Sequence, residues 1–318
     1  MKKLIALLLM TAIFLSCAAC GSDTNNSDNG NNQAGKETVA GGNDFPGTET
    51  TAPKKDIPKL EQALTGSLGD TITFVLGTDG TLTISGEGRM QSFEYGDGAV
   101  NTPWFEVREC IRAVVIEEGI SNISAHTFFK CGNMESIVIP STVYNIGSVA
   151  FCECKSLKEI VVPEGVTQIG NSTFGGCVSL AKIVLPESLT SIAQDAFSGC
   201  AITGIVIPDS VNFISSSVFS NCSALKEVKL PASLDDVSRY CFSACKSLES
   251  IVIPEGVENI EDKAFSNCTA LKEITIPASV TFIGKDVFKN CEDLTIIGES
   301  GSYAETYAKN NNIPFRAK

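Results

Sequence analysis

The side chains best equipped for chemistry in this 318-residue chain are its 13 cysteines and its one histidine. Eight of the cysteines form a ladder, Cys131, Cys154, Cys177, Cys200, Cys222, Cys245, Cys268 and Cys291, at steps of 23 residues with a single step of 22. Zinc sites draw ligands from converging pairs two to four residues apart. The close pairs in the solenoid, Cys152 with Cys154 and Cys241 with Cys245, each lack a matching second pair there. Disulfides between successive rungs are geometrically open, because a bridge tolerates a Cα separation of about 5 Å. Free cysteine is also among the most buried residue types and fills space as a small apolar side chain. Buried thiols are therefore the expectation, with rung-to-rung disulfides and metal binding as competing readings.

His126 lies in Ser124-Ala125-His126-Thr127-Phe128, at a variable arc position of the repeat, where the expectation is a surface side chain without a catalytic partner. The sequence carries no glycine-rich phosphate loop, no H-E-x-x-H and no calcium-loop pattern. Carboxylates are plentiful but recur as columns, the arrangement of a solvated face. A non-enzymatic protein with no catalytic residues, no metal and no cofactor is the reading these patterns support.

The elements that must position these residues are repeats. Proline recurs at Pro140, Pro163, Pro186, Pro208, Pro231, Pro254 and Pro277, and phenylalanine stands three residues before every ladder cysteine, from Phe128 to Phe288. Both series slip by one residue at Ala201-Ile202-Thr203-Gly204. Within one turn, Leu157, Ile160 and Val162 place alternate apolar residues inward along a short strand, which Pro163 ends because it cannot donate to a continuing ladder. Val166 and Ile169 then lead through a tight arc or short helical turn to Phe174 and Cys177. One short strand per turn at a period of 20–29 residues is the signature of a leucine-rich repeat. The expected fold is an α/β solenoid, a right-handed superhelix of about 23-residue turns spanning 111–293.

A solenoid exposes an apolar cross-section at each end, which terminal units must cover. At 64–110, Thr71–Leu76 and Thr81–Ser85 alternate around Gly77-Thr78-Asp79-Gly80, an expected β-hairpin cap, with Met90, Trp104 and Phe105 as its apolar cover. At 294–318, Tyr303, Ala304, Tyr307 and Ala308 have helical spacing, and Ile313-Pro314-Phe315 can add an edge segment. This is the expected helical C-terminal cap.

At the start of the chain, Lys2 and Lys3 precede an apolar run from Leu4 to Leu15, too short to span a bilayer and read as a secretory signal. The segment Leu15-Ser16-Cys17-Ala18-Ala19-Cys20-Gly21 resembles the lipobox of bacterial lipoproteins. That resemblance implies acylation of Cys20, with Cys17 as the alternative, after removal of the signal segment within residues 1–20. A diacyl anchor would hold the chain on the outer face of a membrane. Residues 21–63 are then a polar tether, too poor in apolar residues to offset their ordering entropy. The formal net charge of −13 repels phosphate backbones and argues against nucleic acid as a partner.

The residue between the two inward positions of each strand points away from the core. Down the array this column reads Val115, Val138, Val161, Val184, Val206, Lys229, Val252 and Thr275. Beside it runs a rim that includes Glu164, Glu187 and Asp209. Contiguous exposed apolar side chains tend to mark interaction sites; valine also suits a strand by propensity alone. A protein partner docking on the valines, with basic groups meeting the acidic rim, is the candidate function.

The turn Ile253-Pro254, Val257, Ile260, Ala264-Phe265, Cys268 resembles the BspA-type leucine-rich repeats of bacterial surface proteins, as do Gly80–Gly86 with Thr102-Pro103-Trp104 and the closing unit Gly301–Ala308 with Ile313-Pro314-Phe315. The resemblance covers about residues 64–318. It implies a bacterial cell-surface location and adhesion to host, matrix or neighbouring-cell proteins. A scaffold for another envelope protein and a glycan- or peptide-binding lipoprotein are the alternatives.

Overall fold

The computed structural model describes residues 57–318 apart from Asp97. The expected signal segment, most of the expected tether and both lipidation candidates, Cys20 and Cys17, lie outside the described residues. Near the start of the described chain Leu60 is half-buried against the core, so packing begins a few residues before the expected end of the tether at 63.

One turn shows why the repeat folds. Glu159–Val161 is a strand whose middle residue, Ile160, is buried while its neighbours are exposed. It pairs in parallel with the next turn, Ile160 opposite Ile183 and Val161 opposite Val184. After Pro163 the chain reverses, and the amide of Val166 donates to the Pro163 carbonyl across a four-residue turn. Gly165 sits there at φ +96°, the conformation a type II turn requires of its third residue. A second short strand, Gln168–Ile169, buries Ile169. An arc then carries the chain past Phe174 and Cys177 to the next rung.

The described molecule is therefore built of two parallel walls joined by arcs. The first wall contains Ala113–Ile116, Ser136–Val138, Glu159–Val161, Lys182–Val184, Gly204–Val206, Glu227–Lys229, Ser250–Val252, Glu273–Thr275 and Thr295–Gly298. The second contains two-residue strands from Asn122–Ile123 to Phe282–Ile283. The short helical turn allowed by the sequence is absent from the described repeats, and the α/β expectation gives way there to an almost wholly β solenoid. The physical reason is in the arc backbone. Residues five and one before the ladder cysteines take left-handed φ values, as at Val149 (62°) and Glu153 (59°), which interrupts helical geometry. The arc amides turn instead to the next rung: Val149 donates to Asn171, Phe151 to Thr173 and Glu153 to Gly175, at 2.8–2.9 Å.

The phenylalanines form one stack between Phe128 and Phe288, with ring centroids 5.3–5.9 Å apart and nearly parallel planes. The one-residue slip before Pro208 is absorbed in the lead-in to the first-wall strand, and Phe197 still stacks on Phe219 at 5.6 Å.

Three antiparallel strands, β1 (Leu64–Ser67), β2 (Ile72–Leu76) and β3 (Thr81–Gly86), precede the repeats. β3 pairs in parallel with Ala113–Ile116, extending the first wall. Trp104 is fully buried, stacks on Phe128 at 6.1 Å, meets the edge of Phe74 at 5.3 Å and donates its indole N–H to the Thr127 carbonyl at 3.0 Å. At the other end α1 (Tyr303–Asn310) begins at Ser302, whose side chain accepts from the Glu305 amide. Tyr307 lies edge-on to Phe288 at 6.0 Å, and Phe315–Ala317 adds a parallel strand to 296–298.

Candidate interaction face

The ladder cysteines are free and buried. From Cys154 onward each ladder thiol donates to the carbonyl of the phenylalanine one turn earlier, Cys154 to Phe128, Cys177 to Phe151 and so on to Cys291 and Phe265, at 3.0–3.2 Å. The cysteine is thus a small apolar filler that also satisfies a buried carbonyl. Burial pushes the Cys222 and Cys291 thiols up to about 12, and Cys131, Cys154, Cys177, Cys200 and Cys245 are raised for the same reason. The half-buried Cys152 is pushed up to about 11 by burial and by the adjacent Glu153 carboxylate. Thiols held this far from thiolate are poor nucleophiles and poor metal ligands. Among the described residues no cluster of histidine, cysteine and carboxylates could hold a metal ion.

His126 is half-buried rather than fully on the surface. The Tyr95 ring stacks beside it at 6.2 Å, Phe129 meets it edge-on at 6.2 Å, and its Nδ1 is buried with no hydrogen-bond partner. A histidine held by two aromatic rings has the surroundings of a packing residue.

The valine column is where the structure brings the predicted site residues together. Val138, Val161, Val184, Val206 and Val252 are exposed, the last two at 64% and 65%, and Val115 is half-buried. Val115 pairs with Val138, Val161 with Val184 and Val206 with Lys229 across parallel ladders. The register carries the column beyond the repeats, through Thr83 to the exposed Val75 at one end and through Thr275 and Ile297 to Arg316 at the other. The column therefore runs the length of the first wall, including strands expected from the sequence to act as caps.

The acidic rim is partly structural. A Glu164 carboxylate oxygen accepts from the Glu187 amide at 3.4 Å, and Asp209 accepts from the Ala232 amide at 3.1 Å while lying 3.9 Å from Lys229. Two of the three predicted rim carboxylates, Glu164 and Asp209 but not Glu187, thus support the turn that follows each strand as well as charging the face. Sequence reasoning also passed over two exposed aromatics, Phe213 and Phe282, on the second wall. Their signal was available in the column of outward residues there, which is otherwise polar.

A parallel β solenoid with a 23-residue period, an inward Leu/Ile/Val pattern and a phenylalanine stack defines the class as a leucine-rich-repeat protein. The chain matches the BspA type leucine rich repeat region over residues 100–202 and 190–304, and it belongs to that family. A leucine-rich repeat protein of Bacteroides ovatus is 26% identical, with a TM-score of 0.50 over 78% of this chain and 76% of that one. One from Eubacterium ventriosum is 25% identical, with a TM-score of 0.49 over 75% and 73%. No curated protein is significantly similar to the sequence. Family and fold are consistent with a protein-binding role. Among the described residues no helix is long and apolar enough to cross a membrane.

Proposed function

We propose that this chain is a lipid-anchored, non-catalytic binding protein of the bacterial cell surface that adheres to host or neighbouring-cell proteins through its first wall. The observation that carries this reading is the exposed valine column, whose side chains stand on an open sheet face instead of in the core. An apolar stripe kept in solvent has an energetic reason to acquire a partner. The net charge of −13 favours partners with basic groups and slows the approach of acidic ones. Anchoring rests on Cys20, or on Cys17, in the lipobox-like segment.

The test is binding of the full chain to purified extracellular-matrix proteins and to envelope extract of the producing cell, with Val161→Lys/Val184→Lys alongside. Two lysines on exposed positions leave the core intact, so circular dichroism of the variant should match the parent. The expected result is capture of a matrix protein by the parent, reduced at least tenfold in the variant. Equal capture by both removes the first wall as the site. Capture restricted to a component of the same cell replaces adhesion with a scaffold role. Mass spectrometry of the mature chain reads the anchor directly, and an unacylated Cys20 and Cys17 would overturn that part.

A further inference from the structure

The second wall has its own anomaly. Its outward column reads Asn145, Gln168, Ser191, Phe213, Asp236, Asn259 and Phe282. The polar residues need no partner. Phe213 and Phe282 do, since they stand 54% and 48% exposed at a position that other turns fill with polar side chains. The register is direct on either side: Ser191 lies opposite Phe213, Asp236 opposite Asn259 and Asn259 opposite Phe282. Neither phenylalanine belongs to the buried stack or to the core.

Between the two phenyl groups the surface is acidic. Asp236 accepts from the Asn259 amide side chain at 2.6 Å, which leaves the pair as a fixed polar platform. The exposed Asp235 and Glu258 precede it on the two turns. Glu261 and Asp262 follow, and Arg239 lies 3.7 Å from Asp262. The equivalent stretch of the wall between Asn145 and Ser191 carries no charged side chain on its outward positions. The two turns that carry the carboxylates are thus flanked on each side by a turn that carries an exposed ring.

Spacing narrows what fits. Paired parallel strands stand about 4.8 Å apart. The step from Phe213 to Asp236 is unpaired, but the Phe219 and Phe242 rings stack across it at 5.4 Å, as Phe242 and Phe265 do across the paired step from Asp236 to Asn259. Three turns therefore separate the phenyl groups by about 14 Å along the solenoid axis. An extended peptide advances about 3.3 Å per residue and presents residues i, i+2 and i+4 on one face, about 13 Å from first to last. We infer that the second wall between Phe213 and Phe282 is a docking surface, separate from the valine column, for an extended protein segment with apolar residues at i and i+4 and lysine or arginine at i+2. The end residues lie on the two phenyl faces, and the central cation meets Asp236 and the carboxylates beside it. Both contributions are needed for selectivity: the rings set the spacing, and the charge selects the middle residue.

The test uses the full chain and a fluorescein-labelled peptide, Gly-Ser-Leu-Thr-Arg-Thr-Leu-Ser-Gly, read by anisotropy. Two control peptides replace the arginine by glutamate or move it one position, to the opposite face of the strand. The expected result is saturable binding of the first peptide, at least tenfold tighter than either control and weakened by added salt. Phe213→Ser/Phe282→Ser introduces the residue already present at Ser191, so folding should survive, and it should weaken binding at least tenfold. Asp235→Asn/Glu258→Gln should chiefly remove the salt dependence. Val161→Lys/Val184→Lys should leave this peptide's affinity unchanged even where it abolishes binding of a matrix protein. No binding by the parent, equal binding of all three peptides, or full retention in Phe213→Ser/Phe282→Ser would each overturn the inference.

Discussion

At the scale of single residues, the ladder cysteine does two jobs that a leucine or serine would divide. It fills a small apolar space beside the phenylalanine stack, and its S–H reaches the Phe carbonyl of the previous turn. This has a consequence for pH. The ordinary thiol value is 9.0, and burial raises Cys222 and Cys291 to about 12. The unfolded chain therefore loses thiol protons at a lower pH than the folded one does, and alkali favours unfolding. The thiol contribution is fully present below about pH 9 and falls as pH rises toward the folded values, by about 1.4 kcal/mol per pH unit for each thiol whose ionisation is suppressed. Urea unfolding at pH values of about 8, 9, 10 and 10.5 should show the midpoint falling progressively above the ordinary thiol value, with Cys200→Ala/Cys222→Ala showing a shallower fall than the parent. An unchanged slope in that variant would exclude the ladder as the source. The sequence alone disclosed that these cysteines form a buried column, since a cysteine that returns every 23 residues beside a phenylalanine must occupy the same place in each turn. It could not disclose the S–H bonds, because their acceptors lie 25 or 26 residues away in a register that only the stacked backbone defines.

At the scale of elements, the inward pattern and the prolines made the first-wall strands legible, and the helical spacing of Tyr303 to Ala308 made α1 legible. The arcs were not. Their shape depends on left-handed residues at two positions per turn, and only one of those columns shows it in composition. One residue before the cysteine stand Gly176, Gly199, Asn221, Asn267 and Asn290, types that accept positive φ, but also Lys130, Glu153 and Ala244. The exceptions are held by the bonds their own amides make to the next turn, Lys130 to Cys152, Glu153 to Gly175 and Ala244 to Ser266, a tertiary effect that local composition hides. Ala244 at φ 59° should therefore hold conformational strain that glycine relieves. Ala244→Gly should stabilise the protein by about 1 kcal/mol. Gly199→Ala should destabilise it by a similar amount, because a Cβ there would meet only Gly176, at 3.9 Å, and the cost is the backbone's alone. Denaturant midpoints of the two variants should move in opposite directions; movement in the same direction would show that packing, not φ, governs this column.

At the scale of the whole described molecule, the question is what makes so long an array behave as one body. The ladder bonding of the first wall is interrupted between Val138 and Val161, between Val184 and Val206, and between Lys229 and Val252. The second wall is interrupted elsewhere, between Ile146 and Ile169 and between Ile214 and Val237. The arcs cross every first-wall break. At the last of them Phe219 donates to the Cys241 carbonyl at 2.8 Å, the Cys245 thiol donates to Phe219 at 3.2 Å, and the Phe219 and Phe242 rings stack at 5.4 Å. In a linear array, stability is a sum of turn terms and nearest-neighbour interface terms, so cooperativity survives only while every interface is strong. The spine and arcs supply that strength where the wall does not. The parent should therefore unfold in one calorimetric transition. Phe219→Ala/Cys245→Ala removes the spine where the first wall is already open, and with each large core truncation costing about 3–5 kcal/mol it should split the transition in two. Phe265→Ala/Cys291→Ala makes the same chemical change where Ser250–Val252, Glu273–Thr275 and Thr295–Gly298 remain paired on both sides of the ring. It should lower the melting temperature yet keep a single transition. If the two variants melt alike, the walls carry the coupling and the spine is only filling; if they differ as stated, the stacked phenylalanines and thiols are what bind the turns into one folding unit.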